Sequence, residues 1–264
     1  FQAEDGIRDS VASRGLGDVY KRQCLVCAAV ISIIAVGLKE LQKNNAILDQ
    51  QKKIVAAADL QGFYGSTEAA FDSIEEIIID IEEGLITNDS TEKYDLSKEL
   101  RDPSRHIVLS SIEDIATIKK RENFSKIFLE YREGQLNTVI LPVRGYGLWG
   151  ILYGYLAISS DLNTIVGLEF YEHKETPGLG AEVDNPKWKA LWRGKKIYDE
   201  NGEILIKVVK GKVDNSSDMS TYEVDGLSGA TLTSNGVSNL LAYWLSDSGF
   251  KKFLNNLKQE NING

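Results

Sequence analysis

"NTVILPVRGYGLWGILYGYLAIS", Asn137–Ser159, sets the architecture of the chain. Two runs rich in β-branched and aromatic residues, Asn137–Val143 and Trp149–Ser159, flank a glycine-rich turn, and each reads as a β-strand. On either side of it, "KIFLEY" (Lys126–Tyr131), "TIVGLEFYEH" (Thr164–His173) and "ILIKVVKG" (Ile204–Gly211) have the same character, with turn residues between them. Helical signals flank the strands. "NPKWKALW" (Asn185–Trp192) offers Asn185 as a cap and Pro186 at the first position, with Trp188, Leu191 and Trp192 on one face. Val237, Leu240, Leu241 and Trp244 share a face, and Phe250, Phe253, Leu254 and Leu257 follow at helical spacing. Phe71, Ile74, Ile78 and Ile81 mark an earlier helix with Glu75, Glu76, Glu82 and Glu83 on its solvated side. "EDIATIKKRE" (Glu113–Glu122) reads as a short helix. Helices flanking a run of antiparallel strands predict an α+β domain.

The 264 residues suffice for one large domain or two small ones, and 42% hydrophobic content supports a real core. The net charge of −9 argues against nucleic acid and against anionic membrane surfaces as partners. The two cysteines, Cys24 and Cys27, share one apolar stretch, which leaves the body with no disulfide framework and no thiolate metal site. His106 and His173 are far apart in sequence, so no histidine-rich metal site is expected.

Residues 1–23 resemble a translated sequencing adapter: Gln2–Asp9 matches an amplification adapter and Ser13–Gln23 a transposase end. They are set aside from the fold reading as non-native. "CLVCAAVISIIAVGL", Cys24–Leu38, carries no charge. A spanning helix needs about 20 apolar residues, so residues 24–38 read as a transmembrane helix lacking its first turn or two. A signal-peptide core is the alternative, but no small-residue cleavage site follows. Leu41, Leu48 and Val55, with Ile47 and Ile54, form a helical seam, so an amphipathic stem is expected over 39–58 and the main domain over 59–264.

Three stretches can carry chemistry. In "DGLSGATLTSNGV", Asp225–Val237, Gly226 and Gly229 permit unusual backbone geometry, and Ser228, Thr231, Thr233 and Ser234 supply hydroxyls. The following helix should begin near Ser234 or Asn235, either a good cap. A helix start with free N–H groups and small neighbours suits a phosphate; an ordinary capped turn fits the residues equally well. A Walker-type loop is excluded, since no G-K-[ST] follows. In "HKETPGLGAEVDNPKW", Thr176–Gly180 is a tight loop whose glycines either admit a flat ligand or make a plain turn. In "VRGYGLWGILYGY", Tyr146, Leu148 and Trp149 lie between glycines. By composition alone such aromatic residues are more often core.

"DGLSGATLTSNGV" resembles the flavinylation site of the C-subunit family of the sodium-translocating NADH:quinone reductase. The pattern is an aspartate, a short spacer, Ser or Thr, then Gly-Ala-Thr, filled here by Asp225, Ser228, Gly229, Ala230 and Thr231. The resemblance implies FMN held by a phosphoester to Thr231 and installed from FAD by a Mg-dependent flavin transferase, with Thr233 and Ser234 beside it. It implies that the Glu-Thr-Pro-Gly-Leu-Gly loop lines the flavin ring, making Glu175, Thr176, Gly178, Leu179 and Gly180 site candidates. The Gly-Leu-Trp pattern puts Leu148 or Trp149 against the isoalloxazine. The G-subunit of the Rnf electron-transport complex shares the threonine-linked FMN and the Thr-Pro-Gly-Leu-Gly loop, but "SGATLTSNGV" and "GAEVDNPKWKALW" fit the quinone-reductase family better.

The implied role is electron carriage within a membrane translocase, with the domain on the periplasmic side of a bacterial inner membrane. One electron at a time would come from an iron–sulfur centre held by the small membrane subunits and pass to a second covalent FMN in the B-subunit. Electron transfer needs no acid–base residue, so no catalytic side chain and no metal ligand is nominated. A cofactor protein places and tunes, and Thr176 with nearby backbone N–H groups would do the tuning. Two other classes remain: a membrane-anchored extracytoplasmic sensor or structural protein, and an autonomous flavoenzyme, for which no acid–base cluster is found.

Overall fold

The computed structural model describes residues 3–263, with the side chains of 18–259. Helix α1 spans Ala3–Ala57. Residues 3–23 of the adapter-like segment thus continue the helix, as residues beside an established helical run readily do. Asp18–Ala57 is, among the described residues, the one helix stretch long and apolar enough to cross a membrane, with a window of mean hydropathy 2.2. The chain divides into one unit ending at Asp49 and another beginning at Gln50. The compact unit therefore starts ahead of the expected boundary at 59.

Within that second unit, α2 (Gln61–Tyr64) and α3 (Thr67–Asp72) lead to strands β1 (Ile74–Asp80) and β2 (Leu85–Thr87). A short α4 (Leu96–Glu99) precedes the small hairpin of β3 (His106–Val108) and β4 (Lys120–Glu122). Four long strands follow: β5 (Phe124–Arg132), β6 (Gln135–Tyr146), β7 (Ile151–Ser159) and β8 (Ile165–Glu172). Then come α5 (Pro186–Lys189), the two-residue strands β9 (Lys207–Val208) and β10 (Glu223–Val224), and helices α6 (Thr231–Trp244) and α7 (Lys251–Asn263).

The main sheet has six strands in the order β2-β1-β5-β6-β7-β8, every neighbouring pair antiparallel. Strand alternation divides its side chains between two cores. Ile127, Leu129, Val139, Leu141, Val143, Leu152, Leu156 and Ile158 face a large core shared with Val237, Leu240, Trp244 and Phe250. Phe128, Ile140, Tyr155 and Ala157 face a smaller one, closed by Ile54, Val55, Ala57, Ala58 and Leu60. The expected α+β class is what forms. The last turn of α1 is a structural part of the domain, and Lys53 reaches the buried carboxylate of Glu169 at 3.1 Å, where Lys189 also binds at 2.7 Å.

Four local expectations are corrected. The stretch read as a helix from Phe71 to Ile81 is α3 followed by β1. A strand covered on both faces places isoleucines on both phases, and Ile77, Ile78 and Ile79 are all buried, which blurs the alternation that marks a half-exposed strand. "EDIATIKKRE" is turn and strand: the Asp114 carboxylate accepts from the N–H groups of Ile118 (2.8 Å) and Lys119 (2.7 Å), while Thr117 and Lys119 adopt positive φ. Such local side-chain bonds compete with a helix. "ILIKVVKG" contributes only β9, paired in parallel with β10. In "NPKWKALW" Asn185 caps and Pro186 leads as expected, but the helix tightens to a 3-10 turn at Ala190–Trp192; Trp188 and Trp192 are buried and Leu191 is exposed.

The first and last parts of this unit meet. Asn256 of α7 donates to the Gly84 carbonyl in the β1–β2 turn at 2.9 Å, and Lys252 donates to the Glu82 carbonyl at 2.7 Å.

Candidate functional site

The glycine-rich turn between β6 and β7 is a four-residue hairpin tip, Gly147–Gly150, closed by a 2.8 Å bond from the Gly147 N–H to the Gly150 carbonyl. It presents Leu148 and Trp149 outward, the latter 62% exposed. Beside it runs the loop from His173 to Gly180. Leu179 and Ala181 both donate through their N–H groups to the Thr176 carbonyl, at 3.1 Å each. This turn leaves Thr176, Gly178 and Leu179 exposed and Gly180 buried.

Glu175 locks the two segments together. It is buried, and its Oε1 accepts from the N–H groups of Leu148 (2.9 Å) and Trp149 (3.0 Å). Oε2 accepts from the Thr233 hydroxyl at 2.5 Å. A Cβ at Gly147 would lie 2.6 Å from Oε1, and one at Gly180 would lie 2.5 Å from Oε2 and 2.6 Å from Thr233 Oγ1. These two glycines therefore make room for the carboxylate, and the space at Gly180 holds protein atoms rather than a ligand. Glu175 in turn donates its own N–H to His173 Nδ1 at 3.2 Å, and His173 Nε2 lies 2.8 Å from Asp184 Oδ2. An Nδ1 that accepts must be bare, so these partners assign the proton to Nε2, which donates to Asp184.

The third segment is the turn into α6. Gly229 takes a positive φ of 71°, and Ala230, buried, is the last residue before the helix. The helix begins at Thr231, earlier than the expected Ser234 or Asn235. Ser234 is not the cap: already inside the helix, its hydroxyl accepts from the Leu227 N–H at 3.1 Å. Among the described residues, no side chain caps α6. The first N–H groups of this helix point out beside the small residues Gly229 and Ala230, with the helix dipole favouring negative charge there. Thr231 and Ser228 are exposed, whereas Thr233 is wholly buried. Asp225 is a scaffold: Oδ1 accepts from the Val213 N–H, and its carbonyl from the Trp188 indole, both at 2.8 Å.

These segments converge. A Cβ at Gly229 would meet Leu179 Cδ2 at 2.9 Å, and Gly236 of α6 lies against the Tyr146 carbonyl. The exposed apolar side chains Leu148, Trp149, Leu179 and Leu232 belong to these segments, and the exposed Tyr146 ends β6 beside the tip. Exposed apolar side chains gathered in one region suit a binding surface. The arrangement combines an uncapped helix start, an exposed hydroxyl at its first residue, and apolar side chains suited to a flat ring. It fits a phosphate-bearing aromatic cofactor. Reasoning from sequence missed the clamp role of Glu175 and the part of His173 and Asp184. Their only signal was the two-residue spacing of His173 and Glu175, which has no meaning without the fold.

Residues 147–246 match the model of the FMN-binding domain family. That span starts at the hairpin tip and ends just past α6, enclosing every segment of the site. The C-subunit of the Na+-translocating NADH-quinone reductase of Pseudomonas aeruginosa is 48% identical over 241 residues, covering 89% of this chain and 92% of that protein. The chain belongs to this C-subunit family.

The Vibrio alginolyticus C-subunit agrees, at 41% identity over 240 residues, with 90% of this chain and 93% of that protein covered. The crystal structure of the Shewanella oneidensis NqrC protein superposes with a TM-score of 0.73 at 35% identity, covering 79% of this chain and 96% of that one. The C-subunit structure from Parabacteroides distasonis gives 0.61 at 32% identity, covering 82% and 96%. FMN is therefore the cofactor class of this domain.

Proposed function

We propose that this chain is the electron-carrying C-subunit of the Na+-translocating NADH:quinone reductase, holding FMN through a phosphoester to Thr231. The observation that carries this reading is the contrast between two hydroxyls in one helical turn. Thr231 is exposed at the first residue of a helix that no described side chain caps, whereas Thr233 is buried and bonded to Glu175. A transferase can reach the first and not the second. The small residues Gly229 and Ala230 leave the approach open, and the free N–H groups of the first turn would hold the phosphate oxygens. Leu148, Trp149, Leu179 and Leu232 would cover the ring and keep water from it.

Bound there, FMN would supply one-electron chemistry. The protein places it and sets its surroundings; no side chain moves a proton in the transfer. The apolar helix α1 suits a single-pass anchor in the bacterial inner membrane, with the flavin domain on the periplasmic side. The partners in this reading are the second covalent-FMN subunit, the small iron–sulfur-bearing membrane subunits, and the flavin transferase that loads Thr231. A covalent link makes sense outside the cytoplasm, where a weakly held flavin is lost by dilution.

The test is the full chain co-expressed with a flavin transferase, denatured and run on a gel beside Thr231→Ala. Flavin fluorescence on the wild-type band that vanishes in the variant is expected. A dark wild-type band, with the transferase active on a control protein, would sink the assignment.

A further inference from the structure

We propose that Glu175 positions the flavin site without itself contacting the flavin: its carboxylate sets where the Leu148–Trp149 tip stands relative to the helix turn bearing Thr231. This rests on the reading of Thr231 as the FMN acceptor. Leu148 and Trp149 lie between Gly147 and Gly150, where Trp149 is 62% exposed and Leu148 39%, so Trp149 in particular has little side-chain packing to fix it. Their backbone N–H groups have one shared acceptor, Glu175 Oε1. The other oxygen of the same carboxylate binds Thr233, two residues along the helix from Thr231. One rigid group therefore spans the gap between the tip and the helix.

A residue needed only to fill space here would be apolar. A buried carboxylate is tolerated only where its oxygens are well supplied with donors, and this one receives three. Two glycines are placed so that it fits, and the His173–Asp184 pair holds its backbone from the far side. The sum is a device for holding a tip in place. Glu175 is thus a positioning residue rather than a flavin ligand.

Glutamine separates this role from others. Its amide oxygen can accept from both tip N–H groups, while its amide nitrogen donates to the Thr233 hydroxyl. Alanine leaves all three donors without their partner. The experiment compares wild type, Glu175→Gln and Glu175→Ala as full-length protein co-expressed with the transferase. Three readouts are taken: flavin fluorescence per band, the visible absorption of the attached flavin, and amide hydrogen exchange at Leu148 and Trp149 in flavin-free protein. Glu175→Ala is expected to speed exchange at both amides and to cut flavin loading by about tenfold, the equivalent of ~1.4 kcal/mol. Its residual flavin should show a shifted visible band. Glu175→Gln should restore all three to near wild type.

Wild-type exchange and loading in Glu175→Ala would overturn the proposal, as would a glutamine variant as impaired as alanine. Should Glu175→Ala fail to fold, Thr233→Val carries the test, since it removes one donor and keeps the shape. Faster exchange at Leu148 and Trp149 supports the clamp, and unchanged exchange overturns it. A dark wild-type band sinks the acceptor reading and this proposal together. Bright wild type with equally bright Glu175→Ala overturns the positioning role alone.

Discussion

Gly236, on the inward face of α6, lies directly against the carbonyl oxygen of Tyr146 at the end of β6, and a Cβ there would also come within 3.0 Å of Gly147 Cα. The helix that bears Thr231 is held to the strand that bears the aromatic tip through this backbone contact. In an open helix, Gly→Ala stabilises by roughly 0.5–1 kcal/mol. Here Gly236→Ala should destabilise by about 1–3 kcal/mol, because the added carbon forces the helix off the strand. Urea unfolding of the two proteins reads the sign directly, and a stabilised variant would contradict the contact.

Attachment of FMN should stabilise the domain. The first turn of α6 lacks a side-chain cap among the described residues, and a phosphate on Thr231 would fill that role. A cap is worth about 1 kcal/mol, which for a domain of this size is about 2–4 °C in Tm. Thermal unfolding of chains made with and without the transferase should differ by that much. Thr231→Ala made with the transferase should melt with the unloaded form. Coincident melting curves for loaded and unloaded protein would mean the phosphate does not satisfy the helix.

The end of α1 belongs to the core. Ile54, Val55, Ala57 and Ala58 are buried against the sheet. Full burial of an Ile or Val is worth about 1.5–3 kcal/mol each. A fragment starting at residue 59 should therefore be less stable than one starting at residue 50 by about 3 kcal/mol or more. Paired denaturant titrations check this, and equal midpoints would remove α1 from the domain.

Alkaline pH should destabilise the protein once it passes the ordinary tyrosine range. Burial pushes the Tyr243 phenol up to about 12, and burial also raises Tyr155. The unfolded phenol titrates near about 10. A raised folded value means the native state binds more protons between the two, so the stability it contributes is complete below about pH 10 and falls as pH rises toward 12. Urea midpoints should drop between about pH 10 and pH 12. In Tyr243→Phe the drop should shrink. Its stability at neutral pH should hold or rise by about 1 kcal/mol, because the Tyr243 hydroxyl has no hydrogen-bond partner among the described residues. An unchanged pH slope in the variant would assign the effect to other groups.

The site was legible in the sequence where a motif is local. "GATLTSNGV" marks the turn into α6, and Asn185-Pro186 marks the start of α5, because caps and turns depend on neighbours in the chain. The strands β5 to β8 were legible because β-branched and aromatic runs are long. β1 was not, since burial on both faces removes the alternation. The start of α6 was misjudged because Ser234 looks like a cap and instead bonds Leu227. Glu175 was found as part of a motif, but its carboxylate's bonds to the hairpin tip and to α6 were not foreseen. Nothing in its neighbours announces that its carboxylate meets Leu148, Trp149 and Thr233, which come from other parts of the chain.

The bond from Asn256 to Gly84 joins residues 172 apart. The turn between β1 and β2 can take up its native contacts only once nearly the whole polypeptide has been made. The edge of the sheet beside this turn carries Leu85 and Ile86, which are exposed in the finished protein as well. A bare apolar edge is a template for pairing with another chain. A product cut short before Lys252 lacks the bonds from Lys252 and Asn256 that hold this turn, and its adhesive rim is left without that anchor.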